Sequence, residues 1–156
     1  MNICFDFDGV LRHLDLGIWR HSLSTGYAGD AILHARSQTP LLNPAMMALP
    51  EDNLYCVTGC LSLETSEEKS RFLKHFYGNR IELTCVLTPN DIEGRAFEEE
   101  VAHRKFELLK KLKIDVYFDD NPTIVRALRK LAEEEGIQTI KFVKYGGWIE
   151  PYEPEK

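Results

Sequence analysis

Ile3-Cys4-Phe5-Asp6-Phe7-Asp8-Gly9-Val10 is the stretch on which the fold turns. A short run of β-branched and aromatic residues reads as a buried strand over Ile3 to Phe7. It ends in two acids and a glycine, so two carboxylates emerge at its carboxyl edge, where open α/β sheets hold their ligands. Burying unpaired acids there is costly, so the residues ask for partners. Alternation puts Asp6 and Asp8 on the same side of an ideal strand, while Gly9 lets the backbone turn at once and separates their tasks.

Outward from this stretch the pattern repeats. Leu54 to Thr58, Ile81 to Leu87, Asp115 to Phe118 and Thr139 to Val143 also read as strands, each followed by a turn. Between them lie amphipathic helices. Ser66 to Phe76 has Ser66 as N-cap, acids in its first turn and Phe72, Leu73 and Phe76 on its apolar side. Glu98 to Leu112 carries Val101, Phe106, Leu108, Leu109 and Leu112, and Pro122 to Glu135 opens on a proline and stops at Gly136. Strands alternating with crossover helices predict a three-layer, Rossmann-like α/β fold with a central parallel five-stranded sheet and a small insert after the first strand.

The chain has 156 residues, of which 44% are hydrophobic and 28% charged, which suits one globular domain and excludes a disordered or collagen-like chain. The formal charge of −6 excludes nucleic-acid binding by a generalised basic surface, so an anionic partner must be captured locally. No apolar run is long enough for a membrane span and the N-terminus lacks the features of a signal peptide, so a cytoplasmic protein with no membrane partner is expected. The four cysteines, Cys4, Cys56, Cys60 and Cys85, lie in or beside apolar runs without metal-binding spacing and read as buried reduced thiols. A turn at Thr58-Gly59 would be the one way for Cys56 and Cys60 to meet.

Residues 11–42 break the pattern, mixing His, Arg, Gly, Ser and aromatics without period, with a short helix expected at Pro44 to Leu49. An insert of about thirty residues exceeds an ordinary βα connection and forms a small cap-like or flap segment of the single domain 1–156.

Further chemistry sits at other strand ends. Thr58-Gly59 follows the second strand and offers a hydroxyl and a backbone that a ligand can approach closely. Lys105 precedes the fourth strand, after which come Asp119-Asp120-Asn121-Pro122, a second acid pair. Each has a plainer account: Asp makes turns and caps helices, Asp120 above all ahead of Pro122, and Lys105 stands among Arg104, Lys110 and Lys111 on a solvated helix.

In this order Asp6-Phe7-Asp8-Gly9-Val10, Thr58-Gly59, Lys105 and Asp119-Asp120 resemble the four motifs of the haloacid dehalogenase-like (HAD) phosphatase superfamily, over residues 3 to 122. Response-regulator receivers use similar groups, but there the acid pair precedes the phosphoaccepting Asp. The resemblance implies a Mg²⁺-dependent phosphomonoester hydrolase. Asp6 would attack phosphorus and carry an aspartyl-phosphate, Asp8 would act as general acid and then general base, and Thr58, Gly59 and Lys105 would hold phosphoryl oxygens. The Asp6 carboxylate, the Asp8 carbonyl and the Asp119 carboxylate would ligate Mg²⁺, with Asp120 orienting Lys105 or a metal-bound water. Without the cation the acids should repel one another. A phosphotransferase of the same superfamily and a non-catalytic phosphate- or protein-binding domain are the alternatives.

The interval after Asp8 is too short for a large helical cap, so a nearly capless, open site is expected, fit for a phosphate on a macromolecule or for a small substrate enclosed by a partner subunit in a homodimer. Arg12 and His13 lie nearest the Asp8-Gly9 turn and are candidate substrate contacts, although exposed charge is an equal account. The cationic bias of Arg12, His13, Arg20, His21, His34 and Arg36, with Trp19 and Tyr27, tilts the substrate towards a nucleotide or a nucleic-acid end. Tyr145-Gly146-Gly147-Trp148 reads as an anchor for the C-terminal tail.

Overall fold

The computed structural model describes residues 1–12, 40–60, 63–87 and 94–145. The apolar runs form one all-parallel sheet of β1 (Asn2–Phe5), β2 (Asn53–Cys60), β3 (Ile81–Leu87), β4 (Val116–Asp119) and β5 (Lys141–Lys144), in the order β3-β2-β1-β4-β5. The helices are α1 (Leu63–Tyr77), α2 (Gly94–Lys111) and α3 (Pro122–Glu134). The five-stranded α/β architecture expected from the sequence is therefore the one observed. The strand order reverses direction at β1, and β1 and β4 end side by side, Phe5 opposite Phe118. That juxtaposition brings the two acid pairs to one sheet edge.

Period-two alternation sorts the strand residues between two cores. Cys4, Val57 and Tyr117 pack with Val101, Phe106 and Leu109 of α2 and Val125 and Leu128 of α3. Ile3, Phe5, Leu54 and Cys56 pack on the other face with Phe72 and Leu73 of α1. The sheet thus lies between two helical layers, α2 and α3 on one face and, among the described α-helices, α1 on the other.

Several boundaries differ from the sequence reading. β1 ends at Phe5 rather than Phe7, because the chain turns so tightly after Asp6 that the amides of Leu11 and Arg12 both reach the Phe7 carbonyl, at 2.9 and 3.0 Å. β2 continues through Thr58 and Gly59 to Cys60, paired with β3 throughout, so no turn there folds Cys56 back onto Cys60. All four cysteines are free, and Cys85 is the one that is not fully buried. The segment expected as a helix over Pro44 to Leu49 is a 3₁₀ turn at Pro44–Met46. Residues 13–39 and 146–156 lie outside the described residues, and with them His13, Trp19, Arg20, His21, Tyr27, His34, Arg36 and Trp148. The two ends of the insert do meet: the amides of Leu41 and Leu42 donate to the carbonyls of Leu11 and Val10, and the Tyr77 hydroxyl donates to the Leu42 carbonyl at 2.8 Å.

Helix α3 begins on a cap that settles one question left by the sequence. Asn121, not Asp120, is its N-cap, its Oδ1 accepting from the amides of Thr123 and Ile124 at 2.9 and 3.3 Å. Asp120 is thereby left for the sheet edge. Asn121→Ala should lower stability by about 1 kcal/mol, read as a fall in the urea midpoint with unchanged slope; an unchanged midpoint would show that the cap contributes nothing.

Candidate active site

The chain reverses at Gly9, whose φ of +81° is a left-handed conformation that a side chain would strain. The reversal sends Asp6 and Asp8 in different directions. Asp6 keeps the alternation of β1: its amide donates to the Phe118 carbonyl at 2.8 Å, and it joins the side of the sheet covered by α2. Asp8 swings over to α1. The turn is fitted to the second acid pair as well, since a Cβ on Gly9 would lie 2.0 Å from Asp120 Oδ2.

Around Asp6 the partners come from α2 and β4. Lys105 Nζ reaches Asp119 Oδ2 at 3.0 Å, Asp6 Oδ1 at 3.3 Å and the Tyr117 hydroxyl at 2.9 Å. Tyr117 donates its own hydrogen to Asp119 Oδ2 at 2.7 Å, and the other Asp119 oxygen accepts from the Asn121 amide at 3.0 Å. Lys105 is 2% exposed, so the solvated-lysine account of this residue does not hold. Its ammonium stays charged although burial works against it, because Asp119 and Asp6 raise its pKa.

Asp6, Asp119 and Asp120 each offer a carboxylate oxygen within 4.8 Å of the others, all three side chains buried. Burial, and then the charges of its neighbours, push Asp6 up to about 6 and Asp120 up to about 8. Three hard oxygen donors that resist carrying their charges together are suited to a divalent cation such as Mg²⁺. Asp120 lies within this trio, and the contacts of Lys105 are with Asp119, Asp6 and Tyr117; of the two roles expected for Asp120, orienting Lys105 or a metal-bound water, the first has no contact behind it among the described residues.

Asp8 holds a separate position. Arg12 reaches Asp8 Oδ1 with its Nη2 at 2.7 Å and its Nε at 2.9 Å, and Lys69 Nζ lies 3.1 Å from Asp8 Oδ2. Burial alone would raise the Asp8 carboxyl, but Lys69 and Arg12 outweigh it and hold the group below the usual carboxylate range. Arg12 also pairs with Glu68 of α1, and its guanidinium lies 4.6 Å from the centre of the Phe7 ring. The candidate substrate contact Arg12 is therefore buried between two acids beside Asp8.

Thr58 and Gly59 stand at the end of β2 next to this group, and Lys69 Nζ reaches Thr58 Oγ1 at 3.1 Å and the Gly59 carbonyl at 2.9 Å. A Cβ on Gly59 would meet Val101 at 3.9 Å, an ordinary contact, so the described surroundings do not require glycine here. Lys69 and Tyr117 are the two site residues that the sequence reading missed. Lys69 does carry a signal: it falls on the same stripe as Phe72, Leu73 and Phe76, at a spacing where a solvated lysine does not belong.

No family model and no curated protein matches the chain. Among solved structures, the HAD domain of the effector protein Lem4 from Legionella pneumophila is similar over 96% of this chain and 88% of that one, with a TM-score of 0.50 at 11% identity. The chain has a haloacid dehalogenase-like fold. An inactive mutant of the same Lem4 domain is matched at TM-score 0.48 and 11% identity, over 96% of this chain and 87% of that one. The ferredoxin-NADP⁺ reductase of Plasmodium falciparum with 2'P-AMP is matched at TM-score 0.37 and 14% identity, over 91% of this chain and 51% of that one. Among the described residues no helix is long and apolar enough to cross a membrane.

Two measurements check this arrangement. Because folding raises the Asp120 pKa to about 8, its charged form is disfavoured in the folded protein, and stability is lost as pH rises from near 4 through 8. In chelator, Asp120→Asn should therefore gain stability over wild type as pH goes from 5 to 8.5, by more than about 1 kcal/mol; a difference independent of pH would contradict the raised pKa. Gly9→Ala, strained by φ and driven into Asp120, should cost about 1–3 kcal/mol in urea denaturation; wild-type stability would show that the turn is not fitted to Asp120.

Proposed function

We propose that the protein is a divalent-cation-dependent phosphomonoester hydrolase that works through an aspartyl-phosphate on Asp6. The observation that carries this reading is the division of the acids: Asp6 is buried with Asp119, Asp120 and Lys105, while Asp8 is held apart by Arg12 and Lys69. One carboxylate is thus set beside a cation-binding group and the other beside a pair of protein cations, the separation that a nucleophile and a proton-transfer group need.

In this mechanism Asp6 attacks phosphorus in line, and the P–O bond to the leaving alcohol breaks. Asp8 gives that alcohol a proton and later takes one from the water that hydrolyses the acyl phosphate. Both Asp8 oxygens are engaged by cations, so it starts as a carboxylate; the acid role requires it first to take a proton, which a monoanionic phosphate ester or solvent water supplies, and the base role follows once that proton has gone to the alcohol. The Thr58 hydroxyl and Lys105, the latter by giving up its longest contact, that with Asp6 at 3.3 Å, would stabilise charge on the equatorial phosphoryl oxygens, and Asp6, Asp119 and Asp120 would hold the cation. A Mg²⁺ ion bound there would supply Lewis-acid polarisation of a phosphoryl oxygen and would offset the charge of the three carboxylates.

The substrate reading from the sequence, a nucleotide or a nucleic-acid end, guides the panel that tests the activity: p-nitrophenyl phosphate, nucleotides, sugar phosphates, phosphopeptides and 3′- and 5′-phosphorylated oligonucleotides. A phosphotransferase would reveal itself in the same assay by passing the phosphoryl group to an added alcohol rather than to water. Hydrolysis should vanish in chelator, return with Mg²⁺, and fall by at least about 10³-fold in Asp6→Asn, a variant expected to remain folded. Full activity in Asp6→Asn, or hydrolysis independent of metal, would exclude the covalent route.

A further inference from the structure

Lys69 is 3% exposed, it is donated by α1 from the face of the sheet opposite to Lys105, and the proposed chemical steps leave it without a task. Its ammonium has three hydrogens and no acceptor capacity. Three oxygens surround it: Thr58 Oγ1 at 3.1 Å, the Gly59 carbonyl at 2.9 Å and Asp8 Oδ2 at 3.1 Å. Two of these contacts are hydrogen bonds and the third is an ion pair, so the ammonium is held among protein oxygens.

The consequence for Thr58 follows from its own valence. A hydroxyl carries one hydrogen and two lone pairs. With the ammonium donating to Oγ1, the Thr58 hydrogen cannot point back at Lys69 and is turned away from it. The Gly59 carbonyl next in the chain accepts from the same ammonium, so Lys69 ties the Thr58 side chain and the backbone after it to one point. The third contact fixes Asp8 Oδ2 from the side opposite to Arg12.

We propose that Lys69 is a positioning residue which, by engaging Thr58, Gly59 and Asp8 together, presents the Thr58 hydroxyl as a hydrogen-bond donor to the phosphoryl oxygen of a phosphate ester. The proposal rests on the phosphatase reading for the identity of the ligand, but the geometry it uses is that of the protein alone. Lys69 acts on phosphate through Thr58, so its removal should weaken phosphate affinity only while position 58 carries a hydroxyl, whereas any effect through Asp8 falls on kcat in every background.

The experiment is a mutational cycle of Lys69→Met with Thr58→Val and with Thr58→Ser. It is read both as kcat and KM on p-nitrophenyl phosphate with Mg²⁺ and as calorimetric affinity for inorganic phosphate with Mg²⁺. Urea midpoints of all variants establish that they fold, and Lys110→Met, which removes a surface cation paired with Glu107 and Glu135, controls for loss of charge. Lys69→Met should weaken phosphate affinity by about 10-fold in wild type and by a similar factor in Thr58→Ser, yet by less than about 3-fold in Thr58→Val, the mark of one shared interaction. The part of the kcat loss that persists in Thr58→Val reports the separate contact of Lys69 with Asp8. Equal losses of phosphate affinity in the Val and Ser backgrounds would overturn the proposal and leave Lys69 as a structural counter-ion of Asp8. If wild type binds phosphate but hydrolyses no p-nitrophenyl phosphate, the hydrolase reading fails while the affinity cycle still decides the role of Lys69. Absence of phosphate binding by the wild type would overturn both. Should Lys69→Met fail to fold, Lys69→Gln, which keeps a donor for Thr58 without the charge, takes its place with the criterion reversed: phosphate affinity within about 3-fold of wild type is expected, and a loss as large as that of Thr58→Val would overturn the proposal.

Discussion

Repulsion between buried carboxylates is the constraint on which this structure depends. Asp6, Asp8, Asp119 and Asp120 converge at one sheet edge, opposed by Lys105, Lys69 and Arg12, and Arg12 is itself shared with Glu68. A group of that kind in a poorly solvated place is tolerated only if each charge is paired, shared with a proton, or held by a metal ion. The protein pairs Asp8 and Asp119 fully and leaves Asp6 and Asp120 under-compensated, as their pKa values of about 6 and 8 record. The residual negative charge lies where the three carboxylate oxygens meet, which is what makes the sheet edge fit for a divalent cation rather than for another salt bridge.

The two lysines show how the layers serve this arrangement. Lys105 enters from α2 and Lys69 from α1, so the helical layers that cover the two faces of the sheet each contribute one buried cation. The strand ends at Phe5 and the chain turns over residues 7–12, closed by the amides of Leu11 and Arg12 on the Phe7 carbonyl and passing through the positive φ of Gly9, so Asp8 leaves the period of β1 and meets Lys69 while Asp6 keeps it and meets Lys105.

The existence and order of the described strands and helices were legible from apolar spacing, but helix starts were not: α1 begins at Leu63, so Ser66 lies inside it rather than capping it, and α2 begins at Gly94 rather than Glu98. The acids and Thr58 were legible because each falls at a strand end. Lys69 was not, because in a motif-based reading a lysine on a helix is ordinary; the informative fact is its place on the apolar stripe with Phe72, Leu73 and Phe76, where burial demands a partner. Tyr117 escaped for the opposite reason, since an aromatic in a buried strand is expected from packing and its hydroxyl contact with Asp119 is visible only in three dimensions. The run of β2 through Gly59 was missed because Thr-Gly is common turn chemistry, and here pairing with β3 overrides it.

The central claim is that Asp6 is the group to which phosphorus becomes bonded. The most direct measurement is peptide mass spectrometry of the Asp8→Asn variant, acid-quenched during reaction with p-nitrophenyl phosphate and Mg²⁺, because loss of the base should leave the acyl phosphate unhydrolysed. The account predicts one phosphoryl group, located on Asp6 and absent when Asp6 is also replaced by Asn. Release of p-nitrophenol with no covalent phosphoryl group on the protein, or a label on any other residue, would contradict it.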